Sequence, residues 1–391
     1  MTKLDTIVFD QLPVHDTCWS LMAGVDGRIY AGVCGEMTGG LSAYIAAYDP
    51  ARQRTDYLVE MATALGIPPD NGQATHSKVH YSLLQDDDGT LYAATHCTGA
   101  PLGDTLWRPW NCWNHPQKQF SGSGLVCFNP DGGINYHQLL LHKEGSRCLA
   151  LARRHRLIYG ISYPRNHFFV FDLGTRQTHD IGRIGNINPQ CIFTDPDENA
   201  YTADDYGHIL QFDPATRRLF DTGEQIPHAS FRDGYHNTFY DVCPEPSGQG
   251  VWGVTWTWGA RLVRFDFATR KLQDFGKAVG EESPDWSHII HEHVGGMTFG
   301  ADAKLYFVAN LPADDGASRP HLVQFDPATA RREILAPLQI DGAWVDHIAR
   351  GALGSDRKLY FAEAGNTPTK LVRADLGHAD LPLPAIRRTW G

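Results

Sequence analysis

The sequence has no apolar run long enough to cross a membrane, and its first ten residues lack the hydrophobic stretch of a signal peptide. It is also short of basic residues, because 34 lysines and arginines face 45 aspartates and glutamates and give a net charge of -11. This balance argues against nucleic acid or an anionic membrane as the main partner. We therefore expect a cytoplasmic protein with no nucleic-acid and no membrane partner.

Paired cysteine spacings and long helical periodicity are missing as well. The eight cysteines are scattered without a CxxC motif, and several stand in apolar strand contexts. In a cytoplasmic setting this pattern favours buried free thiols over disulfides. One short helix is predicted at residues 57–65, and the rest of the chain is expected to be β-rich.

The sequence does contain a repeat of two alternating elements, each present seven times. The first is an apolar pair ending in an aromatic residue, at Tyr30, Tyr92, Tyr159, Tyr201, Trp252, Tyr306 and Tyr360. The second is a turn related to Phe-Asp-Pro, centred on Asp49, Asn129, Asp172, Asp213, Asp266, Asp326 and Asp375. A repeat of this kind indicates units that share one continuous core.

The spacing of the repeat predicts the fold. The aromatic positions recur at intervals of roughly 42 to 67 residues, which accommodates four strands and their loops. Residues 191–204 and 209–221, for example, form two predicted hairpins within one unit. We predict an all-β protein, a seven-bladed β-propeller of four-stranded antiparallel blades. It forms one domain over residues 1–391, with a rim insertion at about 97–124.

Two rings of side chains are expected on the face of the propeller where ligands bind. Candidates at the start of the innermost strands are His76 or His80, Arg147, His236, His291 or His293, and His347. Candidates at the end of the second strands include His96, Tyr163, Tyr206 and Trp256. A histidine there either donates to a backbone carbonyl or acts as a metal ligand or acid–base group, and several on one rim favour the second interpretation.

Two loops near this rim have alternative interpretations. The loop at residues 35–40 is Gly-rich but lacks the strand-to-helix context of a phosphate loop, so we interpret it as a turn. The insertion contains the aromatic run 107–113, which either stacks on sugar rings or packs on its own tryptophans. Arg147 is expected either to neutralise a ligand carboxylate or to form an outward salt bridge.

A metal site is predicted from histidines of two successive units. His291 and His293 form an HxH pair that enters a strand, which places both imidazoles on one side, and His236 opens the preceding unit. Three such ligands suit a divalent metal ion, with Mn, Zn or Ca as candidates. Trp256 and Trp258 are expected to wall the same pocket.

Two local motifs resemble those of seven-bladed polysaccharide and oligosaccharide lyases. The segment His288-x-x-His291-x-His293 is similar to the metal motif of oligogalacturonate lyases, in which Gln-x-x-His-x-His joins a histidine of the preceding blade. His291, His293 and His236 match that motif, and His288 stands where the family has Gln. The chain continues for another blade after this motif, whereas in that family the motif lies near the carboxyl end.

The segment from His76 and His80 to His96 resembles the paired-histidine blade of ulvan-lyase-type propellers. In that family His, Tyr and Arg act together on uronate chains. By position the resemblance implies that His76 or His80, together with His96, corresponds to the acting histidines of that family. It implies Tyr163 for the tyrosine, and Arg147 or Arg165 for the arginine.

Both resemblances imply a lyase that cleaves an acidic, uronic-acid-containing oligosaccharide or polysaccharide by β-elimination. The expected metal ligands are His236, His291 and His293, and Arg147 or the metal would neutralise the carboxylate. Proton transfer falls to His76 or His80, with His96 and Tyr163. The residues expected to contact substrate are Arg165, Tyr206, Trp256, Trp258 and His347.

Three other functions remain open at this point. A propeller glycosidase or lactonase would use the same rim, although lactonase sites need Glu, Asn and Asp ligands where this rim has histidines. A streptogramin-type lyase shares the Asp-Gly-x-Leu-Tyr rhythm and a histidine on the rim. A non-catalytic interaction propeller would bind peptides on the same face and predicts no metal.

Overall fold

The chain folds into seven four-stranded antiparallel sheets that follow one another along the sequence, which is the predicted seven-bladed β-propeller. The computed structural model describes residues 2–36, 38–68, 70–108, 111–185, 189–227, 238–256, 260–280 and 294–384. In the first six blades the innermost strand comes first in the sequence and each later strand pairs with the one before it, whereas the last blade takes its outermost strand from the amino terminus. The blades are therefore consecutive up-and-down units, as the alternating repeat indicates.

The first four blades use sixteen strands. Blade one contains β2 (Thr17–Ala23), β3 (Ile29–Cys34), β4 (Tyr44–Asp49) and β5 (Arg54–Glu60). Blade two contains β6 (Leu83–Gln85), β7 (Leu91–Ala94), β8 (Gly124–Phe128) and β9 (Ile134–Leu139). Blade three contains β10 (Gly145–Ala152), β11 (Leu157–Tyr163), β12 (His167–Asp172) and β13 (Gln177–Arg183). Blade four contains β14 (Phe193–Thr194), β15 (Ala200–Ala203), β16 (His208–Asp213) and β17 (Arg218–Gln225).

The remaining strands form blades five to seven and one small hairpin. Blade five contains β18 (Phe239–Pro244), β19 (Gly250–Thr255), β20 (Arg261–Asp266) and β21 (Lys271–Lys277). Blade six contains β22 (Val294–Phe299), β23 (Leu305–Pro312), β24 (Ser318–Asp326) and β25 (Arg331–Pro337). The hairpin is formed by β26 (Gln339–Ile340) and β27 (Ala343–Trp344). Blade seven contains β28 (His347–Leu353), β29 (Leu359–Ala364), β30 (Lys370–Asp375) and β1 (Lys3–Val8).

The propeller is closed by the amino-terminal strand. β1 pairs antiparallel with β30 over its whole length, from Lys3 opposite Asp375 to Val8 opposite Lys370. Phe9, directly after this strand, is fully buried in the cluster that joins blades seven and one. The first and last parts of the sequence thus complete one blade, which ties the ring together.

The seven-fold repeat marks the turns of each blade. Where the first hairpin carries an aspartate, the tyrosine of the second strand donates to it, as in Tyr30 to Asp26 at 2.8 Å and Tyr360 to Asp356 at 2.8 Å. The aspartate of the second hairpin accepts from the backbone N–H two residues ahead, as Asp213 does from Ala215 at 2.8 Å. The repeated residues therefore fix turn geometry, which explains why they recur in register.

The core lies between facing blades. Aromatic rings from neighbouring sheets meet there, as Phe168 of blade three and Phe212 of blade four do at 5.2 Å between ring centroids. All eight cysteines are buried and unpaired by disulfides, as predicted. None of the helices among the described residues is long and apolar enough to cross a membrane.

Two short helices interrupt the β-structure, α1 (Met61–Ala64) and α2 (Asn111–Asn114). The helix predicted at residues 57–65 was therefore mostly wrong. Its first part continues β5, the outermost strand of blade one, because pairing with β4 outweighs the local helical pattern. The predicted insertion lies between β7 and β8 and contains α2.

The innermost strands share an irregularity that shapes the rim of the propeller. The pairing of β2 with β3 skips Trp19, that of β10 with β11 skips Arg147, and that of β18 with β19 skips Tyr240. Each skipped residue is a β-bulge, which bends the strand and re-aims one side chain. Blade two differs, because β6 starts only at Leu83 and the preceding residues pair through isolated bridges.

Candidate functional site

A cluster of charged, histidine and aromatic side chains lies where blades one, two and three meet. We call this cluster the rim site, and it comprises Trp19, Glu36, Lys78, His80, His96, Trp113, Arg147 and Tyr163. Four of these residues were predicted from the sequence, namely His80, His96, Arg147 and Tyr163. The structure brings those four together.

Arg147 occupies the bulge of β10, and its charge acts on Glu36, whose pKa it helps to lower. Its side chain is buried, with 9% of the residue exposed, and its Nε has no hydrogen-bond acceptor there. The guanidinium carbon lies 5.5 Å from the ring centroid of Tyr163. A buried cation in this state is costly to maintain, so the position is suited to a negatively charged ligand group.

The same bulge fixes the tautomer of His80. The backbone carbonyl of Arg147 accepts from Nδ1 of His80 at 2.8 Å. Because a carbonyl oxygen only accepts, Nδ1 carries the proton and Nε2 of the neutral ring is left with its lone pair. The ring stacks on Trp19 with centroids 5.0 Å apart and planes 16° apart, which holds its orientation.

His96 lies beside His80, with ring centroids 6.0 Å apart. Its Nδ1 lies 2.7 Å from the backbone nitrogen of Cys97 and 3.0 Å from the carbonyl oxygen of Cys97, so these two contacts do not select one tautomer. Its Nε2 is buried without a hydrogen-bond partner among the described residues. His80 therefore offers a lone pair in this region, and His96 offers an unpaired ring nitrogen.

Burial and nearby cations keep both imidazoles neutral. Burial lowers the pKa of His80 well below its usual value, and the charges of Arg147 and Lys78 lower it further. Burial also lowers the pKa of His96, again with help from Lys78 and Arg147. Near pH 7 neither ring is protonated, so His80 is able to accept a proton.

An ion pair lies beside the histidines. Lys78 Nζ and Glu36 Oε1 are 2.7 Å apart, and Glu36 also accepts from Nε1 of Trp19 at 2.5 Å. Burial alone would raise the pKa of Glu36, but the Lys78 ammonium outweighs that effect and the pKa is lowered. The pair is internally neutral, which leaves Arg147 as the uncompensated charge of the rim site.

The insertion forms an aromatic wall on the other side. Trp113 lies 5.1 Å from both His96 and Tyr163, measured between ring centroids. Tyr163 in turn stacks on His96 at 5.3 Å. Trp113, Tyr163 and Trp19 are half-buried while the histidines are almost fully buried, so the accessible part of the rim site is aromatic. Such a surface suits the flat faces of sugar rings.

A second aromatic group continues the rim toward blades five and seven. The phenol of Tyr240 donates to Nε2 of His347 at 2.5 Å, and Trp256 packs edge-on against Tyr240 at 5.6 Å. His347 lies 5.6 Å from Trp19, which connects this group to the rim site. Burial lowers the pKa of His347 to about 4, so this ring is neutral as well.

Three other predicted residues make contacts outside the rim site. His76 bonds to Thr95 at 2.8 Å and packs on Phe120, which ties the insertion to blade two. Arg165 is mostly exposed and pairs with Glu144 at 3.2 Å. Tyr206 accepts from Gln225 through its backbone carbonyl at 3.0 Å. Their proposed roles in catalysis and substrate binding stay predictions.

The predicted metal ligands His236, His291 and His293 lie outside the described residues, as does Trp258. Within the part of the chain that is described, no group of three or more His, Cys, Asp or Glu side chains is arranged to hold a metal ion. The metal site therefore stays a prediction.

Sequence reasoning missed Trp19, Glu36, Lys78 and Tyr240. Trp19 and Tyr240 are bulge residues, and nothing in the sequence marks a bulge. Glu36 lies in the Gly-rich loop that was interpreted as a turn. Lys78 stands midway between His76 and His80. Because side chains two residues apart lie on one side of an extended segment, this spacing could have indicated that Lys78 lies near both histidines.

Comparison with known proteins supports the fold and leaves the family open. No protein family model and no curated protein matches the chain. Among solved structures, two of the extracellular domain of BT4673 from B. thetaiotaomicron match with TM-scores of 0.56 and 0.58 and 12% identity in each case. They cover 94% and 95% of this chain, and 39% and 40% of that domain. The chain thus spans about two fifths of these structures.

A third solved structure, that of U3-55K, matches with a TM-score of 0.55 and 11% identity. This match covers 95% of the present chain and 98% of the U3-55K chain. At such low identities these likenesses bear on the fold alone. The cytoplasmic location expected from the sequence stays a prediction.

Proposed function

We propose that this chain is a carbon–oxygen lyase that cleaves uronic-acid-containing oligosaccharides or polysaccharides by β-elimination at the rim site. The observation that carries the proposal is Arg147, a buried arginine whose Nε has no hydrogen-bond acceptor among the described residues, together with neutral His80, whose Nδ1 holds the ring proton and leaves the Nε2 lone pair available. A cation for a carboxylate next to a base for the adjacent carbon is the arrangement that this elimination needs.

The proposed reaction uses Arg147 and His80 in turn. Arg147 pairs with the uronate carboxylate and makes the C5 proton more acidic, because the negative charge that develops on the carboxyl group is then stabilised. His80 Nε2 removes that proton. The electron pair forms the C4–C5 double bond as the C4–O bond breaks, and the leaving oxygen takes a proton. The products are an unsaturated uronate and a new reducing end or alcohol.

Tyr163 and His96 are the candidate donors of the proton to the leaving oxygen. Their rings are stacked, with centroids 5.3 Å apart. Tyr163 is half-buried and His96 is almost fully buried, which favours the more accessible phenol as the acid. His96 Nε2 is then available for a hydrogen bond with a hydroxyl group of the bound uronate.

The half-buried aromatic rings supply the substrate platform in this proposal. Trp19 and Trp113 flank the histidines, so a sugar ring stacked between them would bring its acidic face toward Arg147. The predicted metal ion, at His236, His291 and His293, would hold further carboxylates or the reacting one. No step of this mechanism depends on it.

The experiment is to incubate the purified chain with uronate oligosaccharides of several types, with and without added Mn, and to follow the ultraviolet absorbance of the conjugated double bond. We expect product formation, a loss of at least about 100-fold in kcat for H80A, and a loss of about tenfold or more for Y163F. New reducing ends without absorbance would instead identify a hydrolase. Saturable binding without turnover of any substrate would indicate an interaction propeller.

A further inference from the structure

Glu36 and Lys78 are placed to control the orientation of the base. The Glu36 carboxylate accepts from the indole N–H of Trp19 at 2.5 Å and from Lys78 at 2.7 Å. Lys78 Nζ also lies 4.3 Å from the centroid of the Trp19 ring. The indole is therefore held at its edge by the acid and at its face by the ammonium.

Trp19 transmits that constraint to His80. The two rings are stacked, with planes 16° apart, so a change in the tilt of Trp19 would change the tilt of the imidazole. Trp19 is a bulge residue of β2, and pairing with β3 does not fix its position in the strand. Its side-chain contacts are therefore what sets the direction of its ring.

The backbone keeps Lys78 close to both histidines. Lys78 and His96 form an isolated bridge in which the N–H of His96 donates to the carbonyl of Lys78 at 2.7 Å. Lys78 and His80 are two residues apart in this extended segment, so they share one side of it. The Lys78 side chain is 4% exposed, and so its charge acts through a poorly screened medium.

We infer that the Glu36–Lys78 ion pair is a positioning pair that holds His80 as the proton acceptor of the rim site. This inference rests on the proposed function only in taking His80 as the base. The pair acts through Trp19 on the ring orientation and through its balanced charge on the protonation of His80. Removal of one partner would leave a net charge beside the imidazole, whereas removal of both would not.

The charges around His80 determine the direction in which its pKa should shift in the variants. The titratable and charged groups that face it from its own segment and from the elements packed on it are Glu36, Lys78, Tyr81, His96 and Arg147. Tyr81 and His96 are neutral near pH 7, because burial raises the pKa of the phenol and lowers that of the imidazole. Lys78 lowers the pKa of His80 together with Arg147, and the Glu36 carboxylate that binds Lys78 has the opposite charge, so removal of either Lys78 or Glu36 alters this balance.

The test uses K78M, E36Q, the double variant K78M/E36Q and the conservative variant K78R. Histidine ring resonances of the free protein are titrated by NMR, and pH profiles of kcat/KM are measured where activity is found. In K78M the uncompensated Glu36 carboxylate should raise the pKa of His80 by about one unit or more. In E36Q the glutamine still accepts from Trp19. The pKa of His80 should then fall further or stay below the pH range that the NMR titration covers.

The double variant separates the two effects. Its net charge near His80 equals that of the wild type, so the His80 titration should return close to the wild-type position. Its kcat should still fall about tenfold, because the ammonium no longer fixes the Trp19 ring. K78R keeps the charge and should restore most of the activity and the acidic limb of the pH profile.

A matched control is K118M, which removes the exposed ion pair of Lys118 with Asp104 in the insertion. It should leave the His80 titration unchanged. The inference is overturned if K78M leaves that titration where it is in the wild type, or shifts it no more than K118M does. Because the NMR titration needs no substrate, it decides the inference even if no lyase activity is found. A lyase with unshifted titrations would refute this inference alone.

Discussion

Replacement of Arg147 by methionine is the sharpest test of whether this guanidinium is reserved for a ligand. The side chain is buried, its Nε has no acceptor among the described residues, and Glu36, whose pKa responds to its charge, already accepts from Lys78 and Trp19. An arginine with a structural role would raise the free energy of unfolding. An arginine whose partner is a ligand carboxylate should lower the free energy of unfolding when no ligand is bound.

The magnitude follows from the contacts that change. Methionine retains an apolar stem of similar length and removes the charge. Loss of the cation–π contact with Tyr163, at 5.5 Å, costs about 0.5–1 kcal/mol. Replacement of a buried ion pair by apolar side chains is often neutral or stabilises the protein by about 1–4 kcal/mol, and removal of the buried Arg147 charge should act in the same direction. We therefore expect R147M to unfold with a free energy about 1–3 kcal/mol higher than that of the wild type, while it loses uronate binding and cleavage.

The assay is urea denaturation followed by tryptophan fluorescence, without ligand, for the wild type and R147M. R165M is the matched control, because Arg165 forms an exposed salt bridge with Glu144 whose loss should change stability by at most about 1 kcal/mol. If R147M is less stable than the wild type by more than about 1 kcal/mol, Arg147 has a partner in the folded protein. The argument for a ligand carboxylate would then fail.

Three further outcomes are expected. Burial lowers the pKa of His76 from 6.5 to about 4, so the neutral ring contributes stability above pH 6.5 that is lost as the pH falls toward 4. Urea titrations at pH 7 and pH 4.5 should show a loss of stability that is about 2 kcal/mol smaller in H76Q than in the wild type, because His80, His96 and His347 contribute to the loss in both proteins. F9A should cost about 3–5 kcal/mol because Phe9 is fully buried at the closure, whereas V8A, at an exposed position, should cost less than about 1 kcal/mol. Elemental analysis should find about one divalent ion per chain if the predicted metal site exists, and alanine at its three histidines should abolish it.

The fold was predictable because its turns are fixed by aspartate and aromatic side chains that recur regularly in the sequence. An aspartate that caps a turn and a tyrosine that donates to it stand at a short offset, as Asp26 and Tyr30 do. The seven aromatic positions, which alternate with seven turns of the second hairpin, predict the number of blades and their order. The sequence does not predict the closure by β1, because residues 3–8 carry no copy of the turn signal and pair only with β30.

The rim site was only partly predictable, for a reason that lies in strand geometry. Side chains alternate along a regular strand, so a candidate ring of inward-facing residues can be written down from the repeat. A bulge shifts that alternation by one residue, and this shift is why Trp19 was missed. Arg147 was identified by its position at the start of an innermost strand.

The rim site arises from departures from the repeat. In blade two the innermost strand begins only at Leu83, and the segment before it pairs through isolated bridges. This segment places Lys78 and His80 beside His96. The bulge at Arg147 leaves a carbonyl outside the strand pairing, and that carbonyl sets the tautomer of His80. A regular blade would have used the same backbone groups in its own sheet. The irregular strands therefore supply both the proton acceptor and the cation that the proposed elimination requires.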